Sequence, residues 1–106
     1  MKLKKGEFSQ KVILLAKQIP EGRITTYGLL AVAAGGHPIL AQMITYILSK
    51  APDQSSIPFH RIVYSNGKVW LSDNLKKERL ILYKKEGIAL DKNNRIINFE
   101  EKLYTF

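Results

Sequence analysis

The segment GGHP at residues 35–38 constrains the fold of this chain more than any other stretch. Its glycines permit positive φ angles in a tight connector, and Pro38 suits the first turn of a following helix. Helical periodicity predicts a helix on each side of the connector, at residues 27–34 and 38–49. Two short helices joined by a glycine-containing turn are typical of a helix-turn-helix motif. We therefore expect such a motif near the middle of the chain.

The two predicted helices have informative compositions. The helix at 38–49 is expected to separate apolar from polar residues, because positions three and four apart share a face. Its apolar face comprises Leu40, Met43, Ile44, Ile47 and Leu48, and its polar face Gln42, Thr45 and Ser49. The helix at 27–34 is expected to be capped by the hydroxyl of Thr25 or Thr26.

Two further segments have apolar residues at helical spacing. Residues 7–19 predict a first helix, which Pro20 and Gly22 end. Residues 74–85 predict a fourth helix that stops before Gly87. Its inward side is expected to include Leu75, Leu80 and either Leu82 or Tyr83.

Strand signals point to two short hairpins. The segment RIVYSNGKVW at residues 61–70 alternates around Asn66-Gly67, which favours a type I′ turn with positive φ at both central residues. A second hairpin is predicted around Asn93-Asn94. With 106 residues and no low-complexity linker, the chain is expected to form one domain over residues 1–106. The predicted fold class is mainly α with a small β-hairpin, a winged-helix-like helix-turn-helix domain.

The chain carries a strong excess of positive charge. It has 17 Lys and Arg residues against nine Asp and Glu residues, a formal net charge of +8 and a pI near 9.8. Such a field attracts polyanions, nucleic acid first and acidic membrane surfaces second. The same charges could serve only as a solvated surface, and composition leaves both interpretations open.

The amino-terminal segment lacks the pattern of a signal peptide. Its apolar residues are interrupted by Gln10, Lys11, Lys17 and Gln18, and no small-residue cleavage site follows. No stretch reaches the roughly 18 uninterrupted apolar residues that span a bilayer. We therefore expect a cytoplasmic protein that is not associated with a membrane.

The segment IPFHRIV at residues 57–63 has the frame of a reactive site without a nucleophile. The chain contains no cysteine, which excludes disulfides, thiolate metal sites and thiol nucleophiles. A histidine can activate a neighbouring thiol, but the residue before His60 is Phe59. Ser55 and Ser56 have no evident base and orienting acid. The sequence therefore gives no sign of an enzyme.

Phe59 has two interpretations from the residues alone. It can pack in the core, or it can line a pocket and stack on a flat ligand such as a base removed from a duplex. A metal site is not expected, because His37 and His60 are the only histidines and no carboxylate spacing supports them. No cofactor is expected either.

Three segments, in this order and spacing, resemble the DNA-binding domain of the O6-alkylguanine-DNA alkyltransferase family. They are GRITTYGLLAVAAG at 22–35, IPFHRIVYSNGKV at 57–69 and YKKEGIAL at 83–90. The active-site motif of that family is Pro-Cys-His-Arg, so Phe59 would replace the cysteine. In this respect the chain resembles the alkyltransferase-like branch of the family.

The resemblance implies a function as well as a fold. It implies a helix-turn-helix domain that binds the minor groove of duplex DNA and turns an O6-alkylguanine into a pocket without transferring the alkyl group. The protein would bend the DNA and recruit nucleotide excision repair proteins. It is expected to work as a monomer.

The resemblance also assigns roles to individual residues. Tyr27 matches a tyrosine that helps to turn the phosphate of the target nucleotide, and Glu86 matches a glutamate that helps to order the site. The implied lesion pocket comprises Pro58, Phe59, His60, Arg61, Val69 and Ser72. The expected DNA-binding residues are Tyr27, from the resemblance, and Gln42, Thr45 and Ser49, whose small uncharged side chains would let the third helix approach a groove closely.

The chain departs from the family pattern in its third helix. Gln42 stands where the family has an arginine that enters the base stack, and Thr45 and Tyr46 replace small residues. A glutamine can fill space and hydrogen-bond the orphaned cytosine, but it brings no cation. Ala51 and Ser72 also differ from the residues that alkyltransferases have at the matching positions. These differences support an alternative, a degenerate helix-turn-helix protein that binds DNA or another partner without lesion preference.

Overall fold

A computed structural model describes residues 6–106 of the protein. Within this range the helices are α1 (Glu7–Ala16), α2 (Tyr27–Ala33), α3 (Ile44–Ser49), α4 (Lys76–Lys85) and α5 (Phe99–Lys102), and the strands are β1 (Thr25–Thr26) and β2 (Ile62–Val63). Short 3-10 helices span Pro38–Met43, Gln54–Ser56 and Phe59–Arg61. The predictions of a single domain over 1–106 and of no signal peptide both include residues 1–5, which lie outside the described residues.

The first helix is shorter than predicted. α1 ends at Ala16, and the backbone then tightens, because Gln18 donates to the carbonyl of Leu15 at 3.0 Å and Ile19 to that of Ala16 at 3.4 Å. These bonds to the third preceding residue are typical of a 3-10 turn. Ile19 is nevertheless buried. The expected inward position of Ile19 is confirmed, and its place in the helix was wrong.

The second helix begins as its cap predicts. The hydroxyl of Thr26 accepts a hydrogen bond from the backbone N–H of Leu29 at 3.1 Å. After α2 the chain bends by 112° between Tyr27–Ala33 and Pro38–Ser49, an angle within the range of about 90–120° found in helix-turn-helix motifs. Among residues 6–106 no helix alone is long and apolar enough to cross a membrane, and this bent pair meets that criterion by length and composition only.

The predicted helix at 38–49 is divided into two types. Pro38–Met43 is a 3-10 helix and only Ile44–Ser49 is α-helical. A 3-10 helix turns by about 120° per residue instead of about 100°, so the inward positions predicted for one continuous α-helix do not all hold before the junction. Met43, predicted to lie inward with Ile44, is therefore 45% exposed, whereas Ile44 is fully buried.

The first core joins α1, α2 and α3. Its buried members are Val12, Ala16, Ile19, Leu30, Ala31, Ala34, Ile44, Ile47, Leu48, Ala51, Ile57 and Ile62. The connector after α2 passes close to Phe8 of α1, since a Cβ on Gly36 would lie 2.6 Å from the phenyl ring. Glycine at this position thus allows α1 to pack against the connector.

The small sheet is parallel, and the predicted hairpin at 61–70 was wrong. β1 pairs with β2 in the register Thr25 to Ile62 and Thr26 to Val63. The chain does turn at Gly67, whose φ is 83°. Asn66 does not have the positive φ that a type I′ turn needs, because among residues 6–106 the non-glycine residues with positive φ are Asn94 and Asn98. Pairing with β1 replaces the expected hairpin.

The second predicted hairpin is confirmed as a single antiparallel bridge. Leu90 pairs with Ile96, and Asp91 donates its N–H to the carbonyl of Arg95 at 2.9 Å. Asn94 supplies the positive φ of this turn, at 60°. The turn contributes to a second core, whose buried members are Ile24, Val63, Val69, Tyr83, Ile88 and Ile96.

The fourth helix faces the second core differently from the prediction. α4 begins at Lys76 rather than at residue 74, and it buries Arg79 and Tyr83. Positions four apart lie on one face, so these two residues together define the inner side. Leu80, predicted to lie inward, is 38% exposed. The predicted inner position of Tyr83 is confirmed, and that of Leu80 was wrong, because the residue that shares the inner face with Tyr83 is Arg79 and not a leucine.

Candidate nucleic-acid interface

A buried carboxylate organises the segment that contains Phe59. Glu86, which follows α4, accepts hydrogen bonds from the N–H of Gly22 at 3.1 Å, from Nε and Nη2 of Arg61 at 2.9 Å each, and from Nε2 of His60 at 2.5 Å. Only 3% of its side chain is exposed. Because Arg61 binds with two nitrogens in a fork, the geometry of this ion pair is closely defined. We call Gly22, His60, Arg61 and Glu86 the anchor cluster.

The anchor cluster contains one fixed negative charge and one neutral histidine. Burial would raise the pKa of Glu86, but the hydrogen bonds from Arg61, His60 and Gly22 outweigh it and lower the pKa to about 2. Burial lowers the pKa of His60, against the opposing effect of Glu86. At neutral pH the carboxyl is therefore ionised, and His60 is a neutral imidazole that donates from Nε2.

Further hydrogen bonds tie the anchor cluster to two other parts of the fold. Nη1 of Arg61 donates to the carbonyl of Ile19 at 2.8 Å, and the hydroxyl of Tyr83 donates to the carbonyl of His60 at 2.6 Å. The backbone before β2 is thus held against the turn that follows α1 and against α4. Among residues 6–106, no group of three or more His, Asp or Glu side chains is placed to hold a metal ion.

Phe59 lies between the first core and a very small cavity. Its half-buried ring packs against the core. The cavity, which we call the inner hollow, has a volume of about 10 Å³. It is lined by Tyr27, Thr45, Leu48, Phe59, Ile62, Trp70 and Arg79. That volume holds roughly one water molecule, so the inner hollow does not admit a base in this conformation.

A larger and more open cleft lies next to the inner hollow. This outer cleft has a volume of about 570 Å³, in the range of about 300–1,000 Å³ common for ligand sites. It is lined by Tyr27, Gly28, Pro38, Ala41, Gln42, Thr45, Tyr64, Ser65 and Trp70. The rings of Tyr27 and Tyr64 are 5.5 Å apart and tilted by 49°. Burial raises the pKa of Tyr27, against the effect of a hydrogen bond with Thr45.

Trp70 and Arg79 are site residues that the sequence did not reveal. Trp70 lines both cavities and is 42% exposed. Arg79 is buried, donates from Nη1 to the carbonyl of Trp70 at 2.9 Å, and places its guanidinium 5.5 Å from the centre of the indole. The sequence does contain one signal for Arg79, which lies four positions before Tyr83. Residues four apart share one face of a helix, so an inward Tyr83 implies an inward Arg79.

Comparison with known proteins identifies the family. The family model described as the 6-O-methylguanine DNA methyltransferase DNA-binding domain matches residues 7–88. This chain belongs to that family. The resemblance noted in the sequence is thereby confirmed.

Relatives of the chain within this family are named for different functions. The chain is 34% identical over 94 residues to a DNA base-flipping protein of Escherichia coli K12. The aligned residues make up 88% of this chain and 71% of that protein. The chain is 36% identical over 92 residues to a bifunctional methyltransferase/endonuclease of Thermoplasma volcanium, covering 82% of the chain and 27% of the relative. Both kinds of relative are similar to the chain over most of its length.

A solved structure shares the fold of this family member. Atl1 of S. pombe, in complex with damaged DNA containing O6-carboxymethylguanine, matches with a TM-score of 0.76 at 22% identity, covering 98% of this chain and 100% of the Atl1 chain. The mainly helical architecture with a small sheet is therefore the fold of an alkyltransferase-like domain.

The structure brings the predicted DNA-binding residues only partly together. Tyr27, Gln42 and Thr45 all line the outer cleft. Ser49 is exposed on α3 outside that lining, and its hydroxyl donates to the carbonyl of Tyr46 at 2.6 Å. The polar face predicted for residues 38–49 is thus divided between the cleft and open surface.

The predicted lesion pocket is likewise divided. Pro58, Phe59, His60 and Arg61 are continuous and line a separate cleft of about 450 Å³ together with residues of α4. Val69 is 3% exposed and belongs to the second core. Ser72 accepts hydrogen bonds through its carbonyl from the N–H groups of Leu75 and Lys76, at the start of α4. Val69 and Ser72 line neither the inner hollow nor the outer cleft.

Proposed function

We propose that this chain recognises O6-alkylguanine in duplex DNA and does not repair it. The protein would bind the minor groove through α2 and α3 and turn the damaged guanine out of the base stack. Membership of the family supports DNA as the partner. The relative named for base flipping and the net charge of +8 support it further.

The observation that carries this proposal is an ordered site without a nucleophile. The anchor cluster holds the segment of Phe59 by several hydrogen bonds, as a reactive site would require. The chain nevertheless has no cysteine, and Phe59 offers no atom that can accept an alkyl group. A site that is built for positioning and cannot react supports recognition as its function. No cofactor has a role in this function.

The proposal extends to what happens after binding. A protein that holds a lesion without removing it needs a second activity to complete repair, and nucleotide excision repair accepts bulky distortions of DNA. We propose that the chain acts as a cytoplasmic monomer that bends lesion-containing DNA and flags it for that pathway. Incision of a lesion-containing plasmid by purified excision-repair proteins should increase when the protein is added. Unchanged incision would contradict this extension and leave the binding proposal intact.

Paired duplexes test the central proposal. Two oligonucleotide duplexes of one sequence, one with a single O6-methylguanine, are titrated with the protein at several salt concentrations. Phosphate contacts weaken equally for both duplexes as salt rises, so a preference for the lesion should persist through the series. Equal affinities at every salt concentration would refute lesion recognition.

The same samples test whether the protein is an enzyme. Mass spectrometry of protein and oligonucleotide after long incubation should find both masses unchanged. An alkylated protein or a repaired guanine would overturn the non-enzymatic part of the proposal.

A second candidate function has a specific observation in its favour. The inner hollow is about 10 Å³, and the exposed Gln42 brings no cation to the base stack. Both features favour a helix-turn-helix protein that binds DNA without lesion preference. The paired duplexes separate the candidates, because this second function predicts equal affinities with a strong dependence on salt.

A further inference from the structure

The two cavities differ in whether they can receive a base. A nucleotide that leaves the duplex loses its stacking and pairing, and proteins compensate by stacking the base on an aromatic side chain. Phe59 borders the inner hollow, whose volume of about 10 Å³ leaves no room for a purine, and the separate cleft of about 450 Å³, whose lining includes no residue of α2 or α3. The proposed function places DNA against α2 and α3, so a base turned out of the duplex is expected on their side of the molecule. The outer cleft, at about 570 Å³, has room for a base. The aromatic ring on which the base stacks is therefore expected to line the outer cleft.

Three aromatic residues line the outer cleft, and their surroundings differ. Tyr27 is half-buried, and its ring lies 5.5 Å from that of Tyr64. The two tyrosine rings are tilted relative to each other, and each ring covers part of the other. Trp70 has the largest ring system of the three and is 42% exposed.

Trp70 is also held in place from one side. Arg79 lines the inner hollow and is not part of the lining of the outer cleft, whereas Trp70 lines both. The guanidinium therefore lies on the inner side of the indole, at 5.5 Å from its centre. The bond from Arg79 to the carbonyl of Trp70 fixes the backbone as well. Since the ring is already ordered, little conformational freedom remains to be lost when a base binds.

We propose that Trp70 is the surface on which the turned-out base stacks, and that Phe59 only closes the space beneath it. This inference rests on the proposed function. It assigns specificity to a residue of the loop before α4, and it places the purine in the outer cleft above the position of the family's cysteine.

Trp70 is the only tryptophan of the chain, which provides a direct readout in the unmodified protein. Indole emission is recorded while the protein is saturated with the lesion duplex or with its undamaged twin. A base stacked on the ring should quench the emission, so the lesion duplex should produce the larger decrease. Equal emission with both duplexes at saturation would overturn the inference.

Matched variants then identify the ring that carries lesion preference. Trp70→Leu keeps an apolar side chain and removes the stacking surface, and it should reduce the preference by roughly 5- to 150-fold, the range for one lost base–aromatic stack. Trp70→Phe should retain part of the preference. Phe106→Leu is the control, because Phe106 is an exposed aromatic residue outside α2, α3 and the lining of the cleft, and it should leave the preference unchanged.

Phe59→Leu tests the rival position of the base. Loss of preference in Phe59→Leu with full preference in Trp70→Leu would place the base on Phe59 and overturn the inference, while the proposed function would stand. Absence of any preference in the wild-type protein would instead refute the proposed function, and the inference with it. Circular dichroism of each variant establishes that the fold is retained.

Discussion

The two sides of Phe59 are built in opposite ways. Behind it, the anchor cluster contains a carboxylate that is 3% exposed and bonded to a backbone amide, an imidazole and a guanidinium. In front of it, the outer cleft presents tyrosine and tryptophan rings with the uncharged Gln42 and Thr45. Under the proposed function, the anchor cluster contributes stability and the cleft contributes contact with DNA. Substitutions on the two sides should therefore change different measurements.

The largest expected effect is on the anchor side. Glu86→Ala leaves the buried His60 and the partly buried Arg61 without their carboxylate acceptor, and removing one partner of a buried ion pair costs about 3–5 kcal/mol. The free energy of unfolding, measured in urea, should fall by that amount. Glu21→Ala, at an exposed carboxylate, is the control and should change it by less than about 0.5 kcal/mol. Equal effects of the two variants would contradict the role of the anchor cluster.

Acid should weaken the same side of the molecule. The pKa of Glu86 is lowered to about 2 in the folded protein from the ordinary value of 4.5, so the folded state binds this proton more weakly than the unfolded chain. The contribution of Glu86 is complete above pH 4.5 and is lost as the pH falls toward 2. Unfolding in urea at several pH values should show this loss in the wild type.

Glu86→Gln isolates the part of the acid effect that belongs to this residue. Asp53 and Asp91 also have lowered pKa values, from bonds with nearby serines and with backbone N–H groups respectively. They titrate in both proteins. The difference in stability between the two proteins should therefore shrink between pH 4.5 and 2. A constant difference over that range would show that Glu86 does not cause the acid sensitivity.

A smaller effect is expected at the support of the anchor cluster. Tyr83→Phe removes the hydroxyl that donates to the carbonyl of His60 at 2.6 Å, and one buried hydrogen bond contributes about 1 kcal/mol. The free energy of unfolding should decrease by about that amount, while the affinity for undamaged DNA stays the same. Tyr104→Phe, which removes a hydroxyl that has no hydrogen-bond partner among residues 6–106 and lies outside α2 and α3, should change neither quantity.

The smallest effect on stability is expected in the cleft, where binding should change instead. Gln42→Arg adds a cation to the exposed wall of the cleft and should alter unfolding by less than about 0.5 kcal/mol. One added phosphate contact should steepen the slope of log K against log salt by about 0.9. Gln10→Arg, which adds the same charge on α1, is the control. Identical slopes for the two variants would mean that Gln42 does not lie at the DNA surface.

The sequence predicted which candidate residues lie together in space where those residues are close along the chain. Gln42 and Thr45 are three positions apart and line the same cleft, because three residues amount to nearly one helical turn. Residues 58–61 form one continuous segment. The family resemblance assigned Val69 to the pocket. In the structure, buried and exposed residues alternate after Gly67, and Val69 is one of the buried residues of the second core.

The sequence by itself determined the glycine connector, a threonine cap at residue 25 or 26, the positive charge and the absence of any thiol, since these depend on single residues or on neighbours. Only the tertiary structure decided that β2 pairs with β1, that Arg79 points inward, and that Trp70 stands between the two cavities. These features depend on contacts between segments that are distant in the chain. Local preference does not specify such contacts, because the same residues can satisfy their hydrogen bonds and burial in more than one arrangement until the whole core is packed.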